Sequence, residues 1–186
     1  MIATKIKFTP EFAKSNADFY ADASVDVLNT VTPENLWRNL INISIWPRLD
    51  SRIVDARFED NFLSDPHLAD KVQFVLTFST GEVVRANVIY CVGPKDDRTG
   101  KLAFEATAYP SANDPRTASP QGKETSELYS FVAEFVVGVP DTDGNFDFMG
   151  AVSGKTAHPN DRISSKLSEE LIADLEAMAE YSRRHH

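Results

Sequence analysis

The sequence predicts an α+β fold in which a seven-stranded, curved antiparallel sheet wraps around a long C-terminal helix, with two short helices between strands one and two. Two patterns in its 186 residues indicate this fold. Between residues 52 and 154, apolar residues alternate with polar ones in six segments, as in strands that bury one face. Between residues 164 and 182, the apolar spacing changes to that of an amphipathic helix. We therefore expect the apolar face of the sheet to curve around this helix.

The chain begins with a predicted arm, a strand and a helix. Residues 1–22 mix charged and aromatic side chains without a clear period, and we interpret them as an N-terminal arm that precedes a single domain over residues 23–183. The alternation within residues 23–31 predicts the first strand. Thr32 is a suitable N-cap and Pro33 a suitable first helical residue, so a helix is expected directly after this strand.

Both tryptophans of the chain follow this helix start. Leu36, Trp37 and Leu40 lie at helical spacing and predict a short apolar stripe. Pro47 disfavours helical backbone at the residue before it, so we expect Trp46 to be extended. The segment therefore predicts two short helices, or one broken helix, ending near residue 50.

Six further strands are predicted by alternation, at residues 52–60, 71–79, 82–92, 101–109, 125–139 and 146–154. Val54, Ala56 and Phe58 form the apolar phase of the first of them. Residues 80–81 and 140–145 have the composition of tight turns, and the glycines of the last strand predict a bend or a close approach of another element. Side chains of the opposite phase are expected to face water unless a bulge shifts the phase, and they include Arg85, Asn87, Glu105 and Glu134.

The last helix and one long loop complete the chain. An amphipathic helix over residues 164–182 is predicted by apolar residues at spacings of four, four and three, namely Leu167, Leu171, Leu175 and Met178. Residues 110–124 are rich in Pro, Ser, Gly, Asn and Asp and fit no regular element. Loops of this length are usually functional lids or disordered segments.

The composition argues against several classes of function. The formal net charge is −9 and the isoelectric point about 4.9, which argues against nucleic-acid binding and against docking on anionic lipids. The single cysteine, Cys91, excludes an intrachain disulfide and a multi-cysteine zinc site. No segment has the pattern of a signal peptide or a spanning helix, so we expect a cytoplasmic protein without membrane insertion.

Motifs for cofactors and metals are incomplete in this sequence. Residues 150–156 resemble a phosphate-binding loop but have three residues, rather than four, between the first glycine and the Gly-Lys pair. Residues 141–147 resemble a calcium loop but lack the required glycine and the distal glutamate, so a hairpin turn is the better interpretation. His67 and His158 lie in separate loops without a second ligand at metal-binding spacing. We therefore expect neither a metal nor a cofactor.

The region around both tryptophans resembles a known family. Residues 24–58 follow a pattern of strand, two short helices and strand that is typical of the START and polyketide-cyclase superfamily (SRPBCC), whose helix-grip fold also occurs in birch-pollen-allergen-like proteins. The number and order of the predicted elements agree with this resemblance over roughly residues 23–182. Leu49 departs from the pattern, because the family often has an aromatic residue there, and the loop at 110–124 is longer than is typical. The matching positions are Pro33, Leu36, Trp37, Leu40, Trp46, Pro47 and Ile53.

The resemblance implies a cavity between the sheet and the last helix, which in this family usually holds a lipid, a sterol, a polyketide or a hormone. It also implies an entrance between residues 79–82 and residues 110–124, and we interpret the longer loop as a lid. Trp37 is expected to anchor the short helices against the sheet, and Trp46 to close the base of the cavity. The expected ligand-binding residues are Trp46, Phe58, Phe74, Phe78, Tyr90, Phe104, Tyr129, Phe131, Phe148, Leu171 and Met178.

Four polar residues are candidates for acid–base chemistry in such a cavity. Tyr90 and Tyr129 fall in the apolar phase of their strands, where each hydroxyl needs a partner such as a ligand carbonyl, a backbone carbonyl or a water at the rim. Glu127 shares the phase of Tyr129, and it is either a carboxyl group with a raised pKa or a solvated residue at the strand end. His158 lies between the last strand and the last helix, near the expected entrance.

Three functions are compatible with this sequence. The first is the binding of a hydrophobic small molecule, such as a lipid, a polyketide or an aromatic metabolite, in the cavity. The second is a polyketide-cyclase-like or other small-molecule enzyme that uses acid–base residues in the same cavity. The third is a protein-interaction module, which would need an exposed apolar patch. We favour the first because it requires only a cavity and a lid, although a fold by itself does not fix function.

Overall fold

The structure, a computed structural model, describes residues 8–60, 65–110, 127–156 and 161–186. Its strands are β1 (Phe19–Val27), β2 (Ile53–Phe58), β3 (Gln73–Phe78), β4 (Val83–Val92), β5 (Gly100–Tyr109), β6 (Tyr129–Val137) and β7 (Phe146–Thr156). Its α-helices are α1 (Pro33–Leu40), α2 (Trp46–Leu49) and α3 (Asp161–Arg184). Single turns of 3-10 helix occur at Pro10–Phe12 and Ile43–Ile45.

The strands form one antiparallel sheet in the order β1-β7-β6-β5-β4-β3-β2. The chain passes from one edge of the sheet, at β1, to the other edge, at β2, through α1 and α2. Helix α3 contacts β1, β7, α1 and α2 and covers the inner, apolar face of the sheet. The predicted α+β fold, a curved antiparallel sheet around the C-terminal helix, is therefore confirmed.

Two glycines of β7 allow neighbouring side chains to approach this strand closely. A Cβ atom at Gly150 would lie 3.1 Å from Leu171 Cδ1 of α3, so the glycine lets the helix pack directly on the sheet. A Cβ atom at Gly154 would lie 2.5 Å from the Ser130 carbonyl oxygen and would overlap the ring of Phe19. The close approach predicted for this strand is confirmed at both positions.

Helix α1 begins with Thr32 as its N-cap, as predicted. The Thr32 hydroxyl accepts a hydrogen bond from the Asn35 backbone N–H at 3.1 Å, which satisfies one of the unpaired donors of the first turn. Trp37 is buried on the inner side of the helix and packs against the connection between β4 and β5. Cβ atoms at Gly93 and Gly100 would lie 3.1 Å and 2.9 Å from its indole ring. The ring thus ties α1 to one end of the sheet.

The prediction of an extended Trp46 is wrong. Trp46 has helical backbone angles, φ −56° and ψ −41°, and is the first residue of α2, with Pro47 in the first turn. A proline there removes no hydrogen bond, because the first N–H groups of a helix have no partner within it. The steric cost at Trp46 is offset by its contacts. Its indole N–H donates to the Leu40 carbonyl at 3.0 Å, and its ring meets Phe74 edge-on with 5.7 Å between ring centroids.

The edge strands differ from their predicted boundaries. β1 begins at Phe19, so the end of the predicted arm pairs with β7, and residues 28–31 lie beyond the strand. In β2 the register shifts between Ile53 and Asp55, and the intervening Val54 is 57% exposed. Its predicted place on the apolar face is wrong, because a bulge interrupts the alternation of the strand.

A second bulge, in β4, reverses the predicted orientation of Tyr90. The register shifts between Val88 and Tyr90, so the phase of the strand changes at that point. Tyr90 therefore lies on the outer face of the sheet, where its hydroxyl is hydrogen bonded to Glu134 of β6. Glu134 was expected to face water, but it is buried in this contact and only 5% exposed.

Both predicted turns are present. Gly81, between β3 and β4, has a φ of +90°, and Gly144, between β6 and β7, has a φ of +86°. Glycine adopts such angles without the steric cost that other residues incur. The Asp141 carboxylate accepts the backbone N–H groups of Asp143 and Asn145 at 2.9 Å and 3.0 Å. The segment at 140–145 is therefore a hairpin turn held by its own aspartate.

Replacing Gly154 tests the close packing of β7. We expect Gly154→Ala to lower the free energy of unfolding by about 2 kcal/mol, because the added methyl group would lie 2.5 Å from the Ser130 backbone oxygen. Urea unfolding followed by far-UV circular dichroism measures this change. Gly93→Ala is the matched control and should cost less, because the nearest atom to its new methyl group, Trp37 Nε1, would lie 3.1 Å away. Equal midpoints for Gly154→Ala and the wild-type protein would contradict this packing.

Candidate functional site

A cavity of about 490 Å³ lies between the inner face of the sheet and helix α3. Among the described elements, all three α-helices and every strand except β4 contribute side chains to its wall. Most of the lining is apolar. Within the described chain, the polar or ionisable lining residues are Asp50, Arg52, Glu82, Tyr129, Lys166, Glu170 and Asp174.

Aromatic rings form much of the apolar wall. The ring of Phe104 is central, with its centroid 6.2 Å from Trp46, 6.2 Å from Phe131 and 6.4 Å from Phe135. Phe148 adds a further ring, 6.4 Å from Phe135. Rings at these separations present flat faces and edges to the space between them, which suits an aromatic or a flexible apolar ligand.

Four of the polar residues form one network where α2 leads into β2 and faces α3. Asp50 is fixed by its backbone, because its N–H donates to the Trp46 carbonyl and its Oδ1 accepts the N–H of Arg52 at 2.9 Å. The Arg52 guanidinium bonds Asp50 in a bidentate manner, at 2.9 Å and 2.6 Å. It also pairs with two carboxylates of α3, Asp174 at 3.3 Å and Glu170. One arginine therefore holds three carboxyl groups at one end of the cavity.

The two aspartates of this network differ in protonation. Burial by itself would raise the pKa of Asp50, but hydrogen bonds from Arg52 outweigh it and hold this pKa below its usual value. Burial raises the pKa of Asp174 to about 8, and the hydrogen-bonded, negatively charged Asp50 contributes to the same shift. The pair therefore retains one proton near neutral pH, carried by Asp174, while Asp50 is ionised.

Tyr129 contributes a further polar group to the cavity. Its hydroxyl donates to Glu82 Oε2, in the turn between β3 and β4, at 3.2 Å. Burial and the adjacent Glu82 carboxylate raise the pKa of Tyr129 well above its usual value, so the hydroxyl stays protonated. The partner that the sequence could not name for this hydroxyl is thus a carboxylate of the protein.

Eight of the eleven predicted ligand-binding residues line the cavity, namely Trp46, Phe78, Phe104, Tyr129, Phe131, Phe148, Leu171 and Met178. Phe58 and Phe74 are buried in the core but are not among the residues that line it. Tyr90 is absent from the wall because the bulge in β4 turns it to the outer face. Whether the eight lining residues contact a ligand stays a prediction.

Of the four acid–base candidates, Tyr129 lines the cavity and the others are placed elsewhere. Tyr90 lies on the outer face of the sheet, bonded to Glu134. Glu127 precedes β6 and is exposed, as expected for a residue beyond the strand end. His158 and residues 111–124 of the predicted lid lie outside the described residues.

The charged network was not predicted from the sequence, although one signal for it was present. Asp174 lies three residues after Leu171 and four before Met178, so it falls within the apolar stripe of α3. A carboxylate on the buried side of an amphipathic helix is unusual unless it has a partner. The partner, Arg52, could not be identified from sequence because it lies 122 residues away along the chain.

The remaining described surface offers a second depression, of about 310 Å³, on the outer face of the sheet. It is lined by residues that were predicted on this face, namely Arg85, Asn87 and Glu105, and Arg85 pairs with Glu59 at 2.6 Å.

Among the described residues, no three His, Cys, Asp or Glu side chains converge as a metal site. No described helix has the length and apolarity to cross a membrane. In the part of the chain that the structure describes, the exposed large hydrophobic residues are Leu28, Val54, Ile89, Val92, Val139 and Ile172.

Several solved structures share this fold at low sequence identity. A hypothetical protein from Helicobacter pylori superposes with a TM-score of 0.74, at 15% identity and over 98% of both chains. A START superfamily protein from Mycobacterium smegmatis gives a TM-score of 0.58 at 10% identity, covering 90% of this chain and 99% of its own. A Thalictrum norcoclaurine synthase, in complex with a transition state analogue, gives 0.54 at 12% identity, covering 89% and 94%.

No protein-family model and no curated protein sequence matches the chain. The likeness is therefore one of structure, and at these identities it extends to the fold alone. At that level the predicted resemblance is confirmed.

Replacing Asp174 tests the shared proton. Because the folded state holds a proton on Asp174 that the unfolded chain releases near pH 4, the contribution of Asp174 to the stability of the wild-type protein falls between pH 4 and pH 8. In Asp174→Asn the side chain at this position is uncharged at every pH. We therefore expect this variant to be more stable than the wild-type protein by about 1 kcal/mol at pH 8.5 and by less at pH 5. This stability difference is far smaller than the free energy that corresponds to the full pKa shift, because the Asp174 side chain is 38% exposed and solvent screens its interactions.

Urea unfolding at both pH values measures this difference. Glu176→Gln, on the exposed side of the same helix, removes an equal charge and should change stability little at either pH. A difference between Asp174→Asn and the wild-type protein that is the same at pH 5 and pH 8.5 would show that Asp174 holds no extra proton.

Proposed function

Because the chain has the helix-grip fold of the START and polyketide-cyclase superfamily, we propose that it binds a hydrophobic small molecule in the cavity between the sheet and α3. Lipids, polyketides and aromatic metabolites are the ligand classes that this proposal includes. It depends on one observation, a largely apolar cavity of about 490 Å³ with a charged network at one end.

The size and lining of the cavity support the proposal. Pockets for small molecules commonly measure about 300–1,000 Å³ and combine an apolar wall with a few polar groups that orient the ligand. Protein interiors otherwise pack closely, with few voids larger than a water molecule. Six phenylalanine rings that surround an open space are therefore better explained by a molecule that fills it than by packing alone, and these rings are Phe19, Phe78, Phe104, Phe131, Phe135 and Phe148.

Filling the cavity from within tests this proposal. Val152 lines the cavity from β7, so Val152→Phe places a ring in the space that a ligand would occupy. We expect this variant to bind N-phenyl-1-naphthylamine, a neutral apolar probe, about tenfold more weakly than the wild-type protein, which is about 1.4 kcal/mol. The increase in probe fluorescence on titration measures the affinity.

The matched control is Ile172→Phe, which adds the same ring on the outer side of α3, where Ile172 is 40% exposed. It should keep the wild-type affinity. The proposed function is wrong if the wild-type protein fails to bind apolar probes. Equal affinities for all three proteins would place the probe outside the cavity.

The Asp50–Asp174 pair favours a second candidate, an enzyme of the polyketide-cyclase type. Such a reaction begins with the removal of a proton from carbon, which requires a base whose pKa lies near the working pH and which faces the substrate. Asp174 has a pKa of about 8 and lines the apolar cavity. It is therefore able to act as an acid below this pH and as a base above it.

Ring opening of 5-nitrobenzisoxazole is a surrogate for this chemistry. A base removes the ring proton from carbon, the N–O bond breaks, and the coloured cyanonitrophenolate is released while the base keeps the proton. We expect the rate above the buffer background to rise by roughly tenfold or more from pH 6 to pH 9, as Asp174 loses its proton. Asp174→Asn should abolish this increase and Glu176→Gln should retain it. A rate unaffected by Asp174→Asn would remove the pair from this role.

A further inference from the structure

The ionisable groups of the cavity lining do not balance in charge. In the described part of the chain they comprise four carboxyl groups and two cations, namely Asp50, Glu82, Glu170, Asp174, Arg52 and Lys166. While the aspartate pair retains one proton, these groups carry three negative and two positive charges. After that proton is lost, they carry four negative and two positive charges.

The positive charge of Arg52 is already engaged by carboxylates of the protein. Its Nε and Nη2 donate to Asp50, its Nη2 also faces Asp174 at 3.3 Å, and its Nη1 pairs with Glu170. A ligand carboxylate would have to displace one of these partners. Lys166 lines the cavity but is exposed, so solvent screens the charge of its ammonium group. Neither cation is therefore arranged to neutralise an anionic head group.

We infer that the cavity selects hydrophobic molecules whose head group is an ammonium or another cationic hydrogen-bond donor, in preference to fatty acids and other apolar anions. This inference rests on the proposed function, because it names the ligand class of the same cavity. A protonated amine brings three N–H donors and a positive charge to a group of acceptor oxygens. Its alkyl or aryl part then lies against the aromatic wall.

The binding of such a cation is coupled to the proton of the aspartate pair. A positive head group beside Asp174 favours the ionised carboxylate, so binding at neutral pH releases the proton. The affinity for an amine therefore rises with pH until about 8, and it levels off once the free protein holds no proton to release. The charged and titratable groups that share this part of the wall with Asp174 are Asp50, Arg52, Glu82, Tyr129, Lys166 and Glu170.

Three ligands with the same chain and different head groups test the inference. The affinities of decylamine, decan-1-ol and decanoate are measured by competition with bound N-phenyl-1-naphthylamine, on the wild-type protein at pH 6.5 and pH 9. Each head group keeps its charge over this range, because amines of this type lose their proton near pH 10.4 and carboxylic acids near pH 4. Any change of affinity with pH therefore arises in the protein.

At pH 9 we expect decylamine to bind about tenfold more tightly than decan-1-ol, and decanoate to bind most weakly. Between pH 6.5 and pH 9 the affinity for decylamine should rise about tenfold, and that for decan-1-ol should stay constant. Asp174→Asn should lose the pH dependence and most of the preference for the amine. Glu176→Gln, on the exposed side of α3, should retain both.

The outcomes separate this inference from the proposed function. Equal affinities for the three ligands, or a preference for decanoate, would overturn the inference. The proposed function would still hold in that case, provided that the wild-type protein binds the probe. A preference for the amine that persists unchanged in Asp174→Asn would also overturn it. If the probe does not bind at all, both statements fail. Probe binding by Asp174→Asn confirms in the same titration that the variant is folded.

Discussion

The candidate site depends on the ion-pair network around Arg52. This network joins the corner between α2 and β2 to the middle of α3, and so it fixes the helix relative to the sheet edge where the cavity ends. Arg52, Glu170 and Asp174 are each more than a third exposed, so solvent screening leaves these ion pairs with little net effect on stability. Their main effect here is one of position. Backbone hydrogen bonds hold Asp50, Asp50 orients Arg52, and Arg52 orients the two carboxyl groups of α3, Glu170 and Asp174.

The sequence was sufficient to predict the architecture, because alternation and helical spacing report which face of each element is buried. It was insufficient wherever one residue breaks the alternation. Nothing local distinguishes a regular β4 from one with a bulge after Val88, yet that bulge moves Tyr90 to the opposite face. The error at Trp46 has a related cause. The local preference against a helix before Pro47 is overcome by tertiary contacts with Leu40 and Phe74, which a sequence does not display.

The candidate site was predictable in its apolar part and not in its polar part. Phe104, Phe131 and Met178 could be assigned to the wall because each follows the period of its own strand or helix. The charged network instead depends on the distance between Asp174 and Arg52, which belong to different elements. The acidic position within the stripe of α3 was visible, but its meaning depends on a partner that only the folded chain brings near.

Two features that lower stability occupy the same space. A cavity of about 490 Å³ deprives the surrounding rings of contacts that a filled core would provide. A carboxyl group with a pKa of about 8 destabilises the folded state at neutral pH, because the unfolded chain releases its proton more easily. The fold requires neither, since a leucine at position 174 would continue the apolar stripe of α3. Natural sequences depart from stable packing chiefly at functional sites, and the coincidence of the void with the acidic pair therefore supports the proposal that both serve one ligand.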